Sequence, residues 1–238
     1  MRTAIGLHAC REVLAVRPKK IKKAVLSKDW ERSGDLKEIR NLLHNYKVQI
    51  EYQALQQMDR IGSQHQGIAF DVNEVLEPNW PVLENKDTLL VVGLDGIEDP
   101  HNLGAMIRSS WLLGVDAILT LKNRSVGLTP TVHKTASGGV EHVPIEFHAS
   151  LQSSIEWLKE KGVCVMGLSE KGNKSLFDVE IPSRVLWLVG GEEKGIRKSY
   201  QDLCDELVSI PQVIGHHSFN ASVALGITLA ETWRQTKN

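Results

Sequence analysis

The spacing of apolar residues divides the chain into two unlike stretches. Over residues 1–72 the pattern is short and mixed. Ala9, Val13, Leu14 and Val16 recur at helical spacing and predict an amphipathic helix over 8–16. Leu36, Ile39, Leu42 and Leu43 predict a second over 35–45, while 24–27, 48–52 and 67–72 read as strands. Residues 73–87, NEVLEPNWPVLENKD, lose all periodicity and carry two prolines and three asparagines, which predicts a linker anchored by Trp80 and Leu83. From residue 88 strand and helix alternate regularly. Strands are predicted at 88–94, 117–121, 142–147, 163–168, 184–189 and 206–210, and helices near 102–113, 130–137, 150–161, 196–203 and 220–235. The run 88–94 is continuously apolar, as in a strand covered on both faces. Strands separated by helices make this an α/β chain with a parallel sheet between helical layers. The expected domains are a small α/β unit at 1–74, a linker at 75–87 and a large domain at 88–238.

Composition narrows the class. The chain has 238 residues, 42% hydrophobic and 24% charged, as in globular proteins, and no window has the apolar length of a membrane span. The first residues lack a signal peptide's apolar core. Three cysteines, widely spaced and without CxxC, fit a reducing cytoplasm and give no zinc pattern. Net charge is −1, so the molecule as a whole is not an electrostatic nucleic-acid binder. Charge is unevenly placed, however. RPKKIKK (17–23) puts five cations, Arg17, Lys19, Lys20, Lys22 and Lys23, in seven positions. Two readings stand: a solvated basic face, or a patch that contacts nucleic-acid phosphate.

Candidate chemistry lies in three loops, each where a predicted strand gives way to a helix, the position at which α/β folds hold ligands. In LDGIEDPHNLGAMIRSS (94–110) a polar turn holds Asn102, and Arg108 lies among Leu103, Met106, Ile107, Trp111 and Leu112. An unpaired buried charge is costly, so Arg108 requires either a salt-bridge partner or an open cleft. In LVGGEEKG (188–195) two glycines allow a ligand to approach main chain, and Glu192 follows them. The spacing matches neither the dinucleotide fingerprint nor the P-loop. In IPQVIGHHSFNASVALGITLAE (210–231) Ser218 and Asn220 stand at the mouth of a helix rich in small residues, as N-caps or as ligand-facing groups. His216 and His217 are adjacent, which makes a metal site a weak reading, and no serine–histidine–acid set is present.

In this order and spacing the three loops resemble motifs 1, 2 and 3 of the SpoU (TrmH) RNA ribose 2′-O-methyltransferases. Asn102-Leu103-Gly104 with Arg108 matches the first, Gly190 and Glu192 the second, and Ile210-Pro211 with Ser218-Phe219-Asn220 the third. KTASGGVEHVP (134–144) is similar to the family's stretch between motifs 1 and 2. Residues 1–72, with GLHACREVL and HQG, resemble the small substrate-binding domain of the branch that modifies 23S rRNA guanosine. The resemblance implies a parallel-sheet domain with a deep C-terminal trefoil knot, S-adenosylmethionine as cofactor, a homodimer, an RNA substrate (rRNA, with tRNA as the alternative) and no metal. It places Gly190, Ile210, Gln212 and Phe219 around the cofactor. It also places Arg108, Asn102, Glu192, Ser218 and Asn220 in catalysis, with Arg108 acting as base or as phosphate holder. Two departures stand out: Phe219 occupies a position usually leucine, and the turn QVIGHH displaces a glycine by one and adds the two histidines.

Overall fold

A computed structural model describes residues 1–192, 194–214 and 217–236. Its first strand, β1 (Arg2–Ile5), is one the apolar pattern did not announce, because four residues are too few to show a period. There follow α1 (Leu7–Val16), β2 (Ile21–Ser27), α2 (Gly34–Asn45), β3 (Gln49–Gln53), the one-turn α3 (Leu55–Met58) and β4 (Ile68–Val72). The strands form a mixed sheet in the order β1-β4-β2-β3, with β4 antiparallel to both neighbours and β2 parallel to β3. Helix α2 begins where the Ser33 hydroxyl accepts from the Leu36 amide at 3.3 Å, an N-cap. Its Leu36, Ile39 and Leu43 join Val13 and Leu14 of α1 over Leu26, Ile68 and Phe70, which explains their 3.6-residue spacing.

The predicted linker is not a free tether. It holds a short helix, α4 (Trp80–Leu83), and the Trp80 indole donates to Glu146 at 2.7 Å and meets Trp157 edge-on at 5.4 Å. The Leu76 carbonyl accepts from the Ile145 amide at 2.7 Å.

The rest is β5 (Leu89–Asp95), α5 (Pro100–Leu112), β6 (Ala117–Leu121), α6 (Pro130–Ala136), β7 (Ile145–His148), α7 (Gln152–Glu160), β8 (Cys164–Leu168), β9 (Lys174–Ser175), β10 (Arg184–Gly190), α8 (Lys198–Gln201), β11 (Glu206–Ser209) and α9 (Ala221–Thr236). All strand pairs in this second sheet are parallel, in the order β7-β6-β5-β10-β8-β11-β9. One face packs on α5, α6 and α9 through Leu103, Met106, Ile107, Val132, Leu225 and Leu229. The other packs on α7 and α8 through Ile155, Leu158 and Tyr200. Two covered faces account for the unbroken apolar run of β5. The strand order reverses between β5 and β10, so a crevice opens beyond their carboxyl ends.

Two predicted elements come out shorter, each for a local reason. The strand expected from His142 begins only at Ile145, because residues 139–141 form a 3₁₀ turn and Pro144 cannot donate to a ladder. The helix expected over 196–203 shrinks to α8, because Arg197 is held extended (φ −57°, ψ 144°) with its amide donating to Asp95 at 2.8 Å.

The two sheets are joined by a buried ion cluster. Arg2 of β1 grips Glu141 with two bonds of 2.5 and 2.7 Å, and both side chains are about fully buried (5% and 1% exposed). Arg17 adds bonds of 3.3 and 3.2 Å to the same carboxylate. Among the described residues no helix is long and apolar enough to cross a membrane, and no group of side chains could hold a metal ion.

Candidate active site

The three predicted loops meet at the crevice. Asp99 starts α5: its side chain accepts from the His101 amide at 2.9 Å, which presents Asn102 one turn into the helix. The Asn102 amide donates to Glu192 at 2.9 Å, and the Asn220 amide donates to the Asn102 carbonyl oxygen at 3.0 Å and also to Glu192. Residues 118 positions apart thus close a triangle of two amides and one carboxylate. The other end of Asn220 caps α9, its Oδ1 accepting from the Ser222 and Val223 amides at 2.9 and 3.3 Å. The two sequence readings of Asn220 therefore hold together, since one side chain fastens a helix and completes the triangle.

Main chain is packed too closely here for any side chain. A Cβ at Gly190 would lie 1.9 Å from the Gly195 carbonyl carbon, and one at Gly191 would lie 2.4 Å from the Gly96 oxygen. The bare backbone lets the 190–195 loop curl back on itself through the Gly195 amide to the Gly191 oxygen, 2.9 Å.

Beside the triangle lies a cavity of about 340 Å³ between the ends of β8, β10 and β11 and the start of α9. Gly190, Ile210, Gln212 and Phe219, the four residues expected around the cofactor, all line it, as do Ser218 and Glu192. Its wall combines apolar surface (Leu168, Val189, Ile210, Phe219) with exposed main chain at Gly190 and Gly195. An adenosyl group needs just such a slot, with polar groups for its ribose and amino-acid end. The Ser218 hydroxyl has no partner among the described residues. Gly215 and His216 lie outside those residues, and His217 is exposed.

Other predicted residues fall elsewhere. Arg108 is exposed, lines neither large cavity, and has no hydrogen bond or ion pair among the described residues. Six residues beyond Asn102 on one helix, it points about 240° around the axis. The salt-bridge alternative is thereby removed. The basic run is divided. Arg17 turns inward to Glu141, Lys20 pairs with Glu74, and Lys23 pairs with Glu51 across to β3. Lys19 and Lys22 are exposed and unpaired among the described residues.

Sequence reasoning missed the clamp beneath the site. Asp95, 3% exposed at the tip of β5, accepts from the Arg197 amide at 2.8 Å and from its Nε at 2.8 Å. The carboxylate raises the Arg197 guanidinium further above its ordinary range. The guanidinium also lies 4.7 Å over the Tyr200 ring. An aspartate closing an apolar strand was the available signal, but its partner 102 residues on had none.

The model of the SpoU rRNA methylase family matches residues 89–230. The chain belongs to the SpoU rRNA methylase family. A second model, RNA 2′-O ribose methyltransferase substrate binding, matches residues 3–78. Among curated SpoU relatives, the 23S rRNA (guanosine-2′-O-)-methyltransferase RlmB of Nitrosomonas europaea is 35% identical, the match covering 97% of this chain and 90% of that protein. The protein of the same name from Salmonella typhi is 34% identical, over 97% of each chain. Among solved structures, the SpoU methyltransferase AviRb of Streptomyces viridochromogenes, in complex with the cofactor AdoMet, superposes with a TM-score of 0.87 at 22% identity. That match covers 99% of this chain and 90% of AviRb. An AdoMet-bound rRNA methyltransferase from Sinorhizobium meliloti gives 0.80 at 22%, over 98% and 87%. These two share the SpoU fold.

Proposed function

We propose that this SpoU chain transfers the methyl group of S-adenosylmethionine to the 2′-hydroxyl of a guanosine in 23S rRNA, in the cytoplasm. The observation that carries the reading is the Asn102–Glu192–Asn220 triangle at the edge of a cavity whose lining fits an adenosyl group. The relatives' names supply the RNA and the nucleoside. We place the substrate-binding domain at 1–74, the docked linker at 75–87 and the methyltransferase domain at 88–238, with Lys19 and Lys22 as the free cations of the RNA-facing run.

The cofactor supplies an activated methyl group, and the chain supplies placement and electrostatics. Ile210 and Phe219 would flank the adenine, bare main chain at Gly190 would hydrogen-bond it, and Gln212 would hold the polar end. Ser218 offers a free hydroxyl towards the ribose, while the triangle holds Glu192 in one orientation. A ribose hydroxyl is a weak nucleophile, and arginine stays protonated. Arg108 therefore holds the RNA phosphate and stabilises negative charge building on the 2′-oxygen, and the hydroxyl proton passes to solvent water as the methyl group is transferred.

Because Arg108 stands outside its own chain's cavities, the active form is a homodimer in which Arg108 of the partner subunit completes each site. Arg108 and Leu112, 65% exposed, share one face of α5, and Val223 of the adjoining α9 is 48% exposed. We also infer that the C-terminal end of the large domain is threaded as a trefoil knot. Its support is main chain against main chain: a Cβ at Gly172 would lie 2.5 Å from the Val208 carbonyl carbon, and Gly190 and Gly191 are as tightly packed.

The test is transfer of labelled methyl from S-adenosylmethionine to unmodified 23S rRNA and, separately, to unmodified tRNA. Label in the rRNA supports the reading. Label confined to tRNA moves the substrate, and failure to bind the donor at all leaves only an RNA-binding protein.

A further inference from the structure

A second cavity, about 370 Å³, shares the wall formed by Gly191, Glu192, Lys194, Gly195 and Ala221 with the first and opens on the far side of Asn102. Both are large enough for a nucleotide-sized ligand. The second is lined by charges of both signs. Glu98 and Asp99 stand at the start of α5. Arg124 faces it from the loop after β6, and Lys194 from the glycine loop. Arg197 is spent on Asp95, which leaves Arg124 and Lys194 as its cations without a partner among the described residues.

Arg124 adopts φ +60°, in the left-handed region, as do five other non-glycine residues among those described. The loop is tied by the Val126 amide, which donates to the Ile97 oxygen at 2.8 Å and so sets it against the segment that leads to Glu98 and Asp99. Arg124 is exposed and lines the cavity, with no hydrogen bond or ion pair among the described residues, so its guanidinium is free to meet a ligand there.

We infer that this second cavity receives the target nucleotide, and that Arg124 is a positioning residue that grips a phosphate flanking the reacting ribose. The inference rests on the methyltransferase reading above. Phosphate is drawn to Arg124 and Lys194, and the carboxylates of Glu98 and Asp99 can accept from a donor-rich base edge such as the N1–H and N2–H of guanine. The shared wall then puts the ribose beside the donor cavity.

The test measures methylation of unmodified 23S rRNA transcript by wild type, Arg124→Ala and Arg124→Lys, with S-adenosylmethionine affinity measured on each protein. The expected result is a KM for RNA raised at least about tenfold in Arg124→Ala, with kcat changed far less and donor affinity unchanged. Arg124→Lys recovers part of the loss. The slope of log KM against log salt falls in Arg124→Ala by about 0.7 to 0.9, the loss of one phosphate contact. Unchanged KM and salt slope in an Arg124→Ala protein that still binds donor would overturn the inference alone. A wild-type protein that methylates no RNA would overturn the functional reading and this inference with it.

Discussion

Asn220 concentrates two jobs in one amide, so its two ends can be tested apart. Asn220→Asp keeps an oxygen for the α9 amides but replaces the donor with a second carboxylate beside Glu192. It should leave thermal stability nearly unchanged and abolish most methyl transfer. Asn220→Ala should lose transfer and also about 1 kcal/mol of stability, the usual worth of an N-cap. Equal activity of Asn220→Asp and wild type would remove the triangle from the mechanism. Arg108→Lys should lose most turnover while donor affinity persists, since a compact ammonium cannot reproduce the planar fork of a guanidinium. Asn102, Glu192 and Asn220 were legible in the sequence because each sits at a strand-to-helix turn within a recognisable motif. Arg17 was not, because a run of cations gives no sign of which one turns inward. That is decided by Glu141, 124 residues away, buried and waiting for charge.

At the scale of elements, the glycine loop is the most demanding piece. Gly190→Ala drives a methyl group into the Gly195 backbone, which cannot yield as a flexible side chain would. The expected outcome is a weakening of S-adenosylmethionine binding by at least about tenfold, some 1.4 kcal/mol, read by calorimetry, with the sheet intact by circular dichroism. Binding equal to wild type would show that the loop does not shape the cofactor cavity. Elements built on period were predicted well: α1, α2 and β5 have apolar residues on one face or on both. Elements set by distant partners were not. β1 is a strand because β4 pairs with it, and α8 is cut short because Asp95 holds Arg197 extended.

For the whole molecule, the Arg2–Glu141 cluster couples the two sheets. Glu141→Ala leaves the buried Arg2 guanidinium and the partly buried Arg17 guanidinium uncompensated and should cost about 3–5 kcal/mol, read by denaturant unfolding. The same cluster sets a pH dependence. His133 lies 3.5 Å from Arg2, and burial first, then that cation, lower its pKa to about 3. The unfolded chain takes up this proton near 6.5 and the folded one only near 3, so stability falls as pH drops between those values, by about 1.4 kcal/mol per unit. His133→Gln should remove one proton from that slope, and an unaltered slope would place the effect elsewhere. The dimer is testable by mixing. Arg108→Ala and Asn220→Ala proteins, each inactive alone, should regain about a quarter of wild-type activity when their subunits are exchanged, because each hybrid dimer holds one intact site.

The most direct measurement is the position of the methyl group in the RNA product. Unmodified 23S rRNA treated with the protein and S-adenosylmethionine should yield, on complete alkaline digestion, one resistant dinucleotide carrying 2′-O-methylguanosine. Methyl groups found on a base, or an rRNA that remains unmethylated, would contradict a site in which three loops close beside a ribose hydroxyl.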